Sequence, residues 1–572
     1  MLIISIAGRG ADWLAHLPWE QGVGGSNPLA PTRCNFQIFI LSCLLKKNMS
    51  YNVLMDVIDF LSKPEAYPHP VKQIKLIQTH ISWVFLTGEF VYKIKKPVDF
   101  GFLDFTTLEK RHFFCKEEIK LNRRFSPEIY LSVVPIVKRN NAFFIDGEGK
   151  IVDYAVKMKQ LPQTACVTHL LEKDKITPTI MQAIAKKMAD FYLKAETNRE
   201  IATYGLPEKI EINIKENFDQ TASYTSRTIP EKIYNALKEY SFSFLEKEKD
   251  RFLKRITAGQ IKDGHGDFHC ANIYWHQGKV YILDCIEFNK RFRYADVAAD
   301  VAFLLMDLDF RQASFWGNNF LNTFLAQTND FSLLGVLTFY KIYRAYVRGK
   351  IKSFETDMPG ISTAQKEAAT RQARVYFELA YSYLSQPCSP RILAVTGLLG
   401  SGKTTLALAL AARLGAIVIR SDAVRKHLVG AKPDTHLYAP FGKGVYTKEM
   451  TERVYESLIS LAEEILGYGF PVILDASFNK EIYREKVRAL SQKMGCPYLF
   501  LYCQCEEEII KNRLQQRQKK GEDISDAYLG LFETFKKSFE PLRDENKIIV
   551  DTGQPIERTI QEIMETFNKE KC

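Results

Sequence analysis

The chain has 572 residues, 46% hydrophobic and 25% charged, with a net charge of +11. That length exceeds what one hydrophobic core supports, so two or three domains are expected, and the ordinary composition excludes a disordered or low-complexity chain. The positive excess is spread out, with 27 Lys and Arg against 25 Asp and Glu over residues 391–572, which argues against a nucleic-acid tail or a membrane patch built on a charge block.

Eleven cysteines form no CxxC pair. The closest couple, Cys503 and Cys505, falls on one face of an expected strand over 498–503, which reads as buried thiol in a reducing cytoplasm. The longest apolar run near the start, residues 36–45, is about half of the roughly 20 residues a bilayer span needs, so neither a span nor secretion is expected. Residues 1–48 crowd Gly, Pro and Trp without any sustained period. The stretch Gly25-Ser26-Asn27-Pro28 is what GGT-TCG-AAT-CC would encode, and it resembles the T-arm of a transfer-RNA gene read as protein. The expected start is therefore Met49, with residues 1–48 a non-native or disordered leader.

A first domain is expected over residues 49–385. Residues 79–86 are rich in β-branched and aromatic side chains, residues 87–89 supply a turn and residues 90–94 a second strand, which together read as a hairpin. Lys93 lies on that second strand, and a helical pattern over 108–124 carries Glu117 and Glu118. A strand lysine held by a helix glutamate is how protein kinases grip the α- and β-phosphates of ATP. Lys95 and Glu117 compete for those two roles, and a solvated lysine-rich strand edge is the alternative.

Farther on, His265-Gly266-Asp267-Phe268-His269-Cys270-Ala271-Asn272 is followed by an apolar strand over 280–283 and then Asp284. The spacing from Asp267 to Asn272 equals that of the kinase catalytic loop, where the Asp takes the acceptor's proton and the Asn holds magnesium; a carboxylate after a strand supplies another oxygen ligand of the kind a hard cation requires. Helices are expected over 296–310 and 331–354, with Lys341, Arg344 and Arg348 stacked on one face of the latter. A buried cationic stripe there suits an anionic substrate. A solvated stripe, with Tyr340, Tyr343 and Tyr346 on the buried side, is the alternative.

With its HGDxHxxN loop, this domain resembles the aminoglycoside phosphotransferase and choline-kinase group. The resemblance implies an α+β protein-kinase-like fold, with Asp267 as base, Asn272 and Asp284 as magnesium ligands, and Lys93 with Glu118 as the phosphate-gripping pair. His265 and His269 are expected to brace the loop. The chain departs from the kinase pattern in having only Gly88, and no GxGxxG, before the strand lysine.

Residues 386–390, rich in Pro and Ser, form the expected linker to a second domain over 391–572. A strand over 392–396 runs into Gly397-Leu398-Leu399-Gly400-Ser401-Gly402-Lys403-Thr404 and then an Ala/Leu-rich helix starting at Thr405. The glycines free backbone N–H groups to cradle phosphates at a helix N-terminus, Lys403 reaches the β- and γ-phosphates, and the Thr404 hydroxyl coordinates Mg²⁺. A strand over 416–420 delivers Asp422, with Arg425 a turn later, and a strand over 472–474 ends at Asp475, the expected Walker-B carboxylate. Arg513 and Arg517 fall at i and i+4 in a basic helix.

This set resembles the polynucleotide-kinase, gluconate-kinase and zeta-toxin type of small P-loop kinases, often labelled AAA family ATPases. The resemblance implies an α/β P-loop NTPase fold with a parallel sheet. Gly397, Gly400, Ser401, Gly402, Lys403, Thr404 and Thr405 would bind nucleotide, Thr404 and Asp475 would hold the metal, Asp422 would be the base, Arg425 a substrate or phosphate contact, and Arg513 and Arg517 the lid. A capping role for Asp422 is the alternative. The order of the two domains resembles bacterial fusions of these two types. The expected activity is a cytoplasmic, bifunctional phosphotransferase using ATP and Mg²⁺ on small-molecule hydroxyl acceptors. Its alternatives are a 5′-hydroxyl nucleic-acid kinase in the C-terminal half and a non-catalytic ATP-binding regulator.

Overall fold

The computed structural model describes residues 50–358, 360–385, 390–432, 435, 437, 444–520, 532–543 and 546–569. The expected leader 1–48 and residues 386–389 of the expected linker lie outside the described residues.

Strands β1 (Lys75–Gln78), β2 (Ser82–Leu86), β3 (Phe90–Lys95), β4 (Tyr130–Arg139), β5 (Ala142–Ile145) and β6 (Lys150–Lys159) make one antiparallel sheet in the order β1-β2-β3-β6-β4-β5. The sequence pattern places a single strand over 79–86, but the chain turns there. Thr79 donates its backbone N–H to Ser82 O at 2.9 Å, and its hydroxyl accepts from Ser82 N at 2.9 Å. A threonine that satisfies nearby backbone in this way favours a turn over a ladder. Between β2 and β3, Gly88 takes φ +96°, a conformation that costs glycine little. Alternation then sorts β3: Tyr92 and Ile94 join Trp83 and Phe85 in an apolar cluster, while Lys93 and Lys95 are buried on the opposite face.

That opposite face meets helix α1 (Leu108–Asn122). The buried positions Arg111, Cys115, Glu118 and Asn122 recur at helical spacing, so α1 docks through a largely polar face. Arg111 Nε lies 3.0 Å from both carboxylate oxygens of Asp153 on β6.

The loop that carries the HGDxHxxN sequence leaves β7 (Ile261–Asp263), which pairs with β10 (Tyr294–Asp296), and enters the hairpin of β8 (Ile273–His276) and β9 (Lys279–Ile282). Beneath it runs α2 (Val297–Phe310), whose residues 297–308 are all buried, as expected of a helix apolar on nearly every side. Helix α3 (Ser314–Thr328) falls between the two helices the sequence pattern marks; it is Asn- and Gln-containing and weakly amphipathic, so the pattern passes over it. The last expected helix begins at Leu334, three residues late, because residues 331–333 form a 3-10 turn; it is α4 (Leu334–Glu355).

In the C-terminal half, β11 (Ile392–Gly397), β12 (Ile417–Arg420), β13 (Val472–Asp475), β14 (Tyr498–Gln504) and β15 (Lys547–Asp551) form a parallel sheet in the order β12-β13-β11-β14-β15. Central β11 is buried throughout, as parallel strands covered on both faces are. Helix α5 (Lys403–Leu414) follows the glycine loop, α6 (Ser421–Leu428) follows β12, and α7 (Glu507–Lys520) follows β14. Cys503 is buried within β14, whereas Cys505 lies beyond its last residue, so the two thiols do not share a strand face.

The halves meet through α3. Asn322 donates Nδ2 to Ala416 O at 3.0 Å and accepts the Val418 N–H on Oδ1 at 2.7 Å, pairing with the edge strand β12 as a neighbouring strand would. Asn318 Nδ2 donates to Ala412 O at 3.1 Å at the end of α5. Among the described residues no helix is long and apolar enough to cross a membrane.

Candidate active sites in the two halves

In the first half, Lys93 Nζ lies 2.8 Å from Glu118 Oε1 and 3.0 Å from Asp284 Oδ1. Lys95 Nζ lies 2.7 Å from Glu118 Oε2 and also pairs with Glu287. All five side chains are at least nine-tenths buried. Glu117 is instead only half-buried and pairs with exposed Lys120 at 3.8 Å, so Glu118 is the glutamate that meets both strand lysines. Burial alone would lower both lysines' pKa, but the surrounding carboxylates outweigh it and hold them above their ordinary value. Burial likewise works to raise Glu118, and the two ammonium groups bring it down to about 2.

The loop is pinned at several points. Asp300 on α2 accepts the backbone N–H of His265 at 2.8 Å and of Gly266 at 3.1 Å, and also bonds the Tyr192 hydroxyl. Asp307, two turns on, accepts Cys270 N at 3.0 Å. Gly266 has φ +83°, and a Cβ there would stand 2.8 Å from Phe292 O. His265 Nδ1 accepts the Asp267 N–H at 3.2 Å, so Nε2 carries the proton and donates to Leu283 O at 3.0 Å. Burial pushes this ring down to about 4, which keeps it neutral.

Asn272 donates Nδ2 to Asp267 O at 3.0 Å and to Asp267 Oδ2 at 3.1 Å. Burial disfavours the Asp267 carboxylate, while His269, with Nε2 at 3.5 Å from Oδ2, and Arg348 favour it. Asp284 takes φ +62°, uncommon for a residue with a side chain, and donates its backbone N–H to the Tyr130 hydroxyl at 3.0 Å. Asn272 Oδ1 is buried with no hydrogen-bond partner, an oxygen left over for a cation. Among the described residues no three His, Cys, Asp or Glu side chains converge to hold an ion by themselves.

In the second half, Gly397, Gly400 and Gly402 all have positive φ, and a Cβ on Gly397 would stand 2.5 Å from Cys503 O. Lys403 Nζ folds back to Leu398 O at 2.8 Å and Gly397 O at 3.1 Å, the carbonyls lining the loop. Thr404 Oγ1 donates to Asp475 Oδ2 at 2.7 Å, so the loop hydroxyl and the carboxylate at the end of β13 meet at one point. That pairing of oxygens suits a magnesium ion bound together with phosphates. Burial raises Asp475, and Arg420, with Nε 3.5 Å from Oδ2, works against it.

Ser401 is buried, and Thr405 is exposed in the first turn of α5. Asp422 lies in the first turn of α6 with Arg420 at the capping position, so Asp422 is not the cap. Arg425 donates Nη1 to Val445 O at 2.9 Å and lies over the Tyr446 ring at 4.7 Å. Arg513 rests against the glycine loop: Nη2 donates to Thr552 O at 2.6 Å, and Nη1 is 3.3 Å from where a Gly402 Cβ would be. The Arg517 side chain lies outside the described residues.

Sequence reasoning missed Asp300, Asp307, Glu287 and Arg420. Asp300 and Asp307 carried a usable signal, since they are carboxylates seven residues apart in the otherwise apolar, fully buried stretch 297–308 of α2. Of the expected cationic stripe, Lys341 pairs with Asp309 at 2.6 Å and Arg344 with Asp300 at 3.5 Å.

Residues 392–542 match the family model described as AAA domain. Together with the parallel sheet and the glycine loop, this makes the C-terminal half a P-loop NTPase domain. The chain is 29% identical over 460 residues to uncharacterized proteins of Mycobacterium tuberculosis and Mycobacterium bovis, a match spanning 80% of this chain and 89% of theirs. That stretch is longer than either half and so crosses the junction between them. Among solved structures, a sugar kinase from Janibacter is similar at 24% identity, covering 31% of this chain and 95% of that one, with a TM-score of 0.24. A Plasmodium vivax ethanolamine kinase is similar at 10% identity, covering 53% and 81%, with a TM-score of 0.31. Likenesses at these scores carry no argument about activity.

Proposed function

We propose that the chain is an ATP- and magnesium-dependent phosphotransferase with two active sites, each moving the γ-phosphoryl group of ATP to a hydroxyl of a small molecule. The first half is read as a protein-kinase-like domain of the aminoglycoside phosphotransferase and choline-kinase type, and the second as a small P-loop kinase. The observation that carries the reading is Lys93 held between Glu118 and Asp284 in a buried site. A cation buried at that cost and clamped by two carboxylates is positioned to grip phosphates.

In the first half, Asp267 accepts the proton of the acceptor hydroxyl as that oxygen bonds to the γ-phosphorus. The bond from the γ-phosphorus to the β–γ bridging oxygen breaks, and ADP leaves. Asn272 holds Asp267 in place through Nδ2, and the pinned His265–Gly266 backbone fixes the loop, so little reorganisation accompanies the transfer. Asn272 Oδ1 and Asp284 are the residues that would hold magnesium, as Thr404 and Asp475 would in the second half. When bound, the ion neutralises charge on the phosphate oxygens.

In the second half, the backbone N–H groups of residues 397–404 cradle the phosphates and Lys403 turns from the loop carbonyls to the γ-phosphate. Asp422 takes the acceptor's proton, and Arg425, Arg513 and Arg517 hold acceptor and phosphates.

The test is incubation with Mg-ATP and a desalted bacterial metabolite extract, following phosphorylated products by mass spectrometry in wild type, Asp267→Ala and Lys403→Ala. A product lost in only one variant assigns a transfer to that half. ATP binding without any product in wild type removes the enzymatic reading and leaves an ATP-binding regulator.

A further inference from the structure

Arg348 on α4 is the one member of the cationic stripe that forms no ion pair among the described residues. It is only 3% exposed, and its Nη1 has no hydrogen-bond partner. The guanidinium faces the Tyr376 side chain, 5.6 Å from the ring centroid and hydrogen-bonded to it; among the described residues no carboxylate lies within ion-pair distance, although Asp307 and Asp267 are near enough to favour its charge. A buried guanidinium with an unsatisfied N–H is costly, and such groups are normally compensated by an anion.

Its position says where that anion belongs. One turn earlier on the same face, Arg344 pairs with Asp300, the carboxylate that holds the His265 and Gly266 N–H groups at the start of the loop. One turn on, Arg348 lies near the rest of that loop, close enough to favour ionisation of both Asp267 and Asp307, the latter bonded to Cys270 N. Arg348 is therefore near enough to act on the carboxylate that would take the acceptor's proton.

We propose that the acceptor of the first half is an anionic alcohol, a small molecule carrying a carboxylate, phosphate or sulfate near the hydroxyl, and that Arg348 binds its oxyanion. This rests on the reading of that half as a phosphotransferase. Guanidinium groups pair with two oxygens of such anions in a planar fork, which fixes orientation as well as affinity. Polycationic or neutral acceptors gain nothing from this site.

The experiment uses the full chain with Lys403→Ala, which silences the second half, together with Mg-ATP and the same metabolite extract. The product that also requires Asp267 is identified by mass. An acceptor with an oxyanion is expected, whether carboxylate, phosphate or sulfate, and the mass distinguishes these. With that acceptor in hand, Arg348→Gln is expected to raise its KM about 100-fold with nucleotide affinity little changed, and Arg348→Lys to recover part of the loss. An Asp267-dependent product made from a neutral or cationic alcohol overturns the proposal and leaves the kinase reading standing. So does an Arg348→Gln variant that folds, binds nucleotide and keeps its KM. Absence of any Asp267-dependent product overturns the kinase reading of this half and the proposal with it.

Discussion

Lys95→Met separates the two strand lysines. The substitution keeps most of the side-chain volume and removes the charge that pairs with Glu287 and with Glu118 Oε2. Glu118 still has Lys93, but Glu287, 8% exposed, loses its only ion pair among the described residues. Breaking a buried pair costs about 3–5 kcal/mol. An independent bound agrees, because a stranded carboxylate can escape by taking up a proton. Forcing a carboxylic acid neutral at pH 7 costs about 4 kcal/mol against its ionised unfolded state, and at pH 5 only about 1 kcal/mol. The expected loss of melting temperature for this half is therefore about 4–7 °C at pH 7, shrinking several-fold at pH 5. Lys93→Met also removes a buried pair, but Lys93 is the lysine that meets Asp284. In the Lys403→Ala background, Mg-ATP is expected to raise the melting temperature of the Lys95 variant and not that of the Lys93 variant. Replacing Glu287 by Leu alongside Lys95→Met should restore part of the stability, since a buried pair exchanged for apolar side chains is tolerated. A Lys95→Met protein melting within about 2 °C of wild type, or a penalty that does not depend on pH, refutes the reasoning.

Three further outcomes are expected. The buried neutral His265 has a folded pKa of about 4, below the unfolded value, so the unfolded chain binds the proton first. Stability is complete above about pH 6.5 and falls by about 1.4 kcal/mol per unit on acidification towards pH 4. Denaturant midpoints from pH 7 to 4.5 should fall less steeply in His265→Gln than in wild type, and equal slopes would count against the neutral ring. Thr404→Val removes the hydroxyl that meets Asp475, and calorimetric titration should show Mg-ATP affinity at the P-loop falling about 10- to 100-fold, with affinity in Lys403→Ala background controls unaltered. Asn322→Ala leaves Ala416 O and Val418 N–H unpaired at the junction, costing about 2–4 kcal/mol; differential scanning calorimetry should then resolve two transitions, while a single transition like that of wild type would show the two halves are not held together there.

The glycine loop was readable because its chemistry is local: the turn geometry, the lysine and the threonine occupy eight consecutive residues, and the parallel sheet follows from strands alternating with helices. The loop from His265 to Asn272 was readable for the same reason. What was hidden is what joins segments far apart. Glu287 meets Lys95 across 192 positions, and Asn322 meets β12 across 96, and neither carries a periodic signal. Polar pairs of this kind appear in sequence only as single polar residues where apolar ones are expected. The helix α1 was visible although its buried face is charged, because length and capping by Thr107 outweigh the missing apolar stripe.

The junction has a consequence for the two sites. Phe268, inside the first half's loop, packs against Phe320 of α3 at 6.1 Å between ring centroids, and Asn322, two residues on, pairs with β12, whose end leads directly into Asp422. Helix α3 therefore touches a side chain of the loop that carries the proposed base of one half and the strand that delivers the proposed base of the other. Its amide-to-backbone bonds are short and nearly buried, so α3 cannot shift against β12 without breaking them. Sliding between the halves is opposed by the same two hydrogen bonds that cover the edge of the second sheet. The Asn322 side chain thus does for β12 what another strand would do: it satisfies the exposed N–H and C=O while fixing how the first half sits on the second.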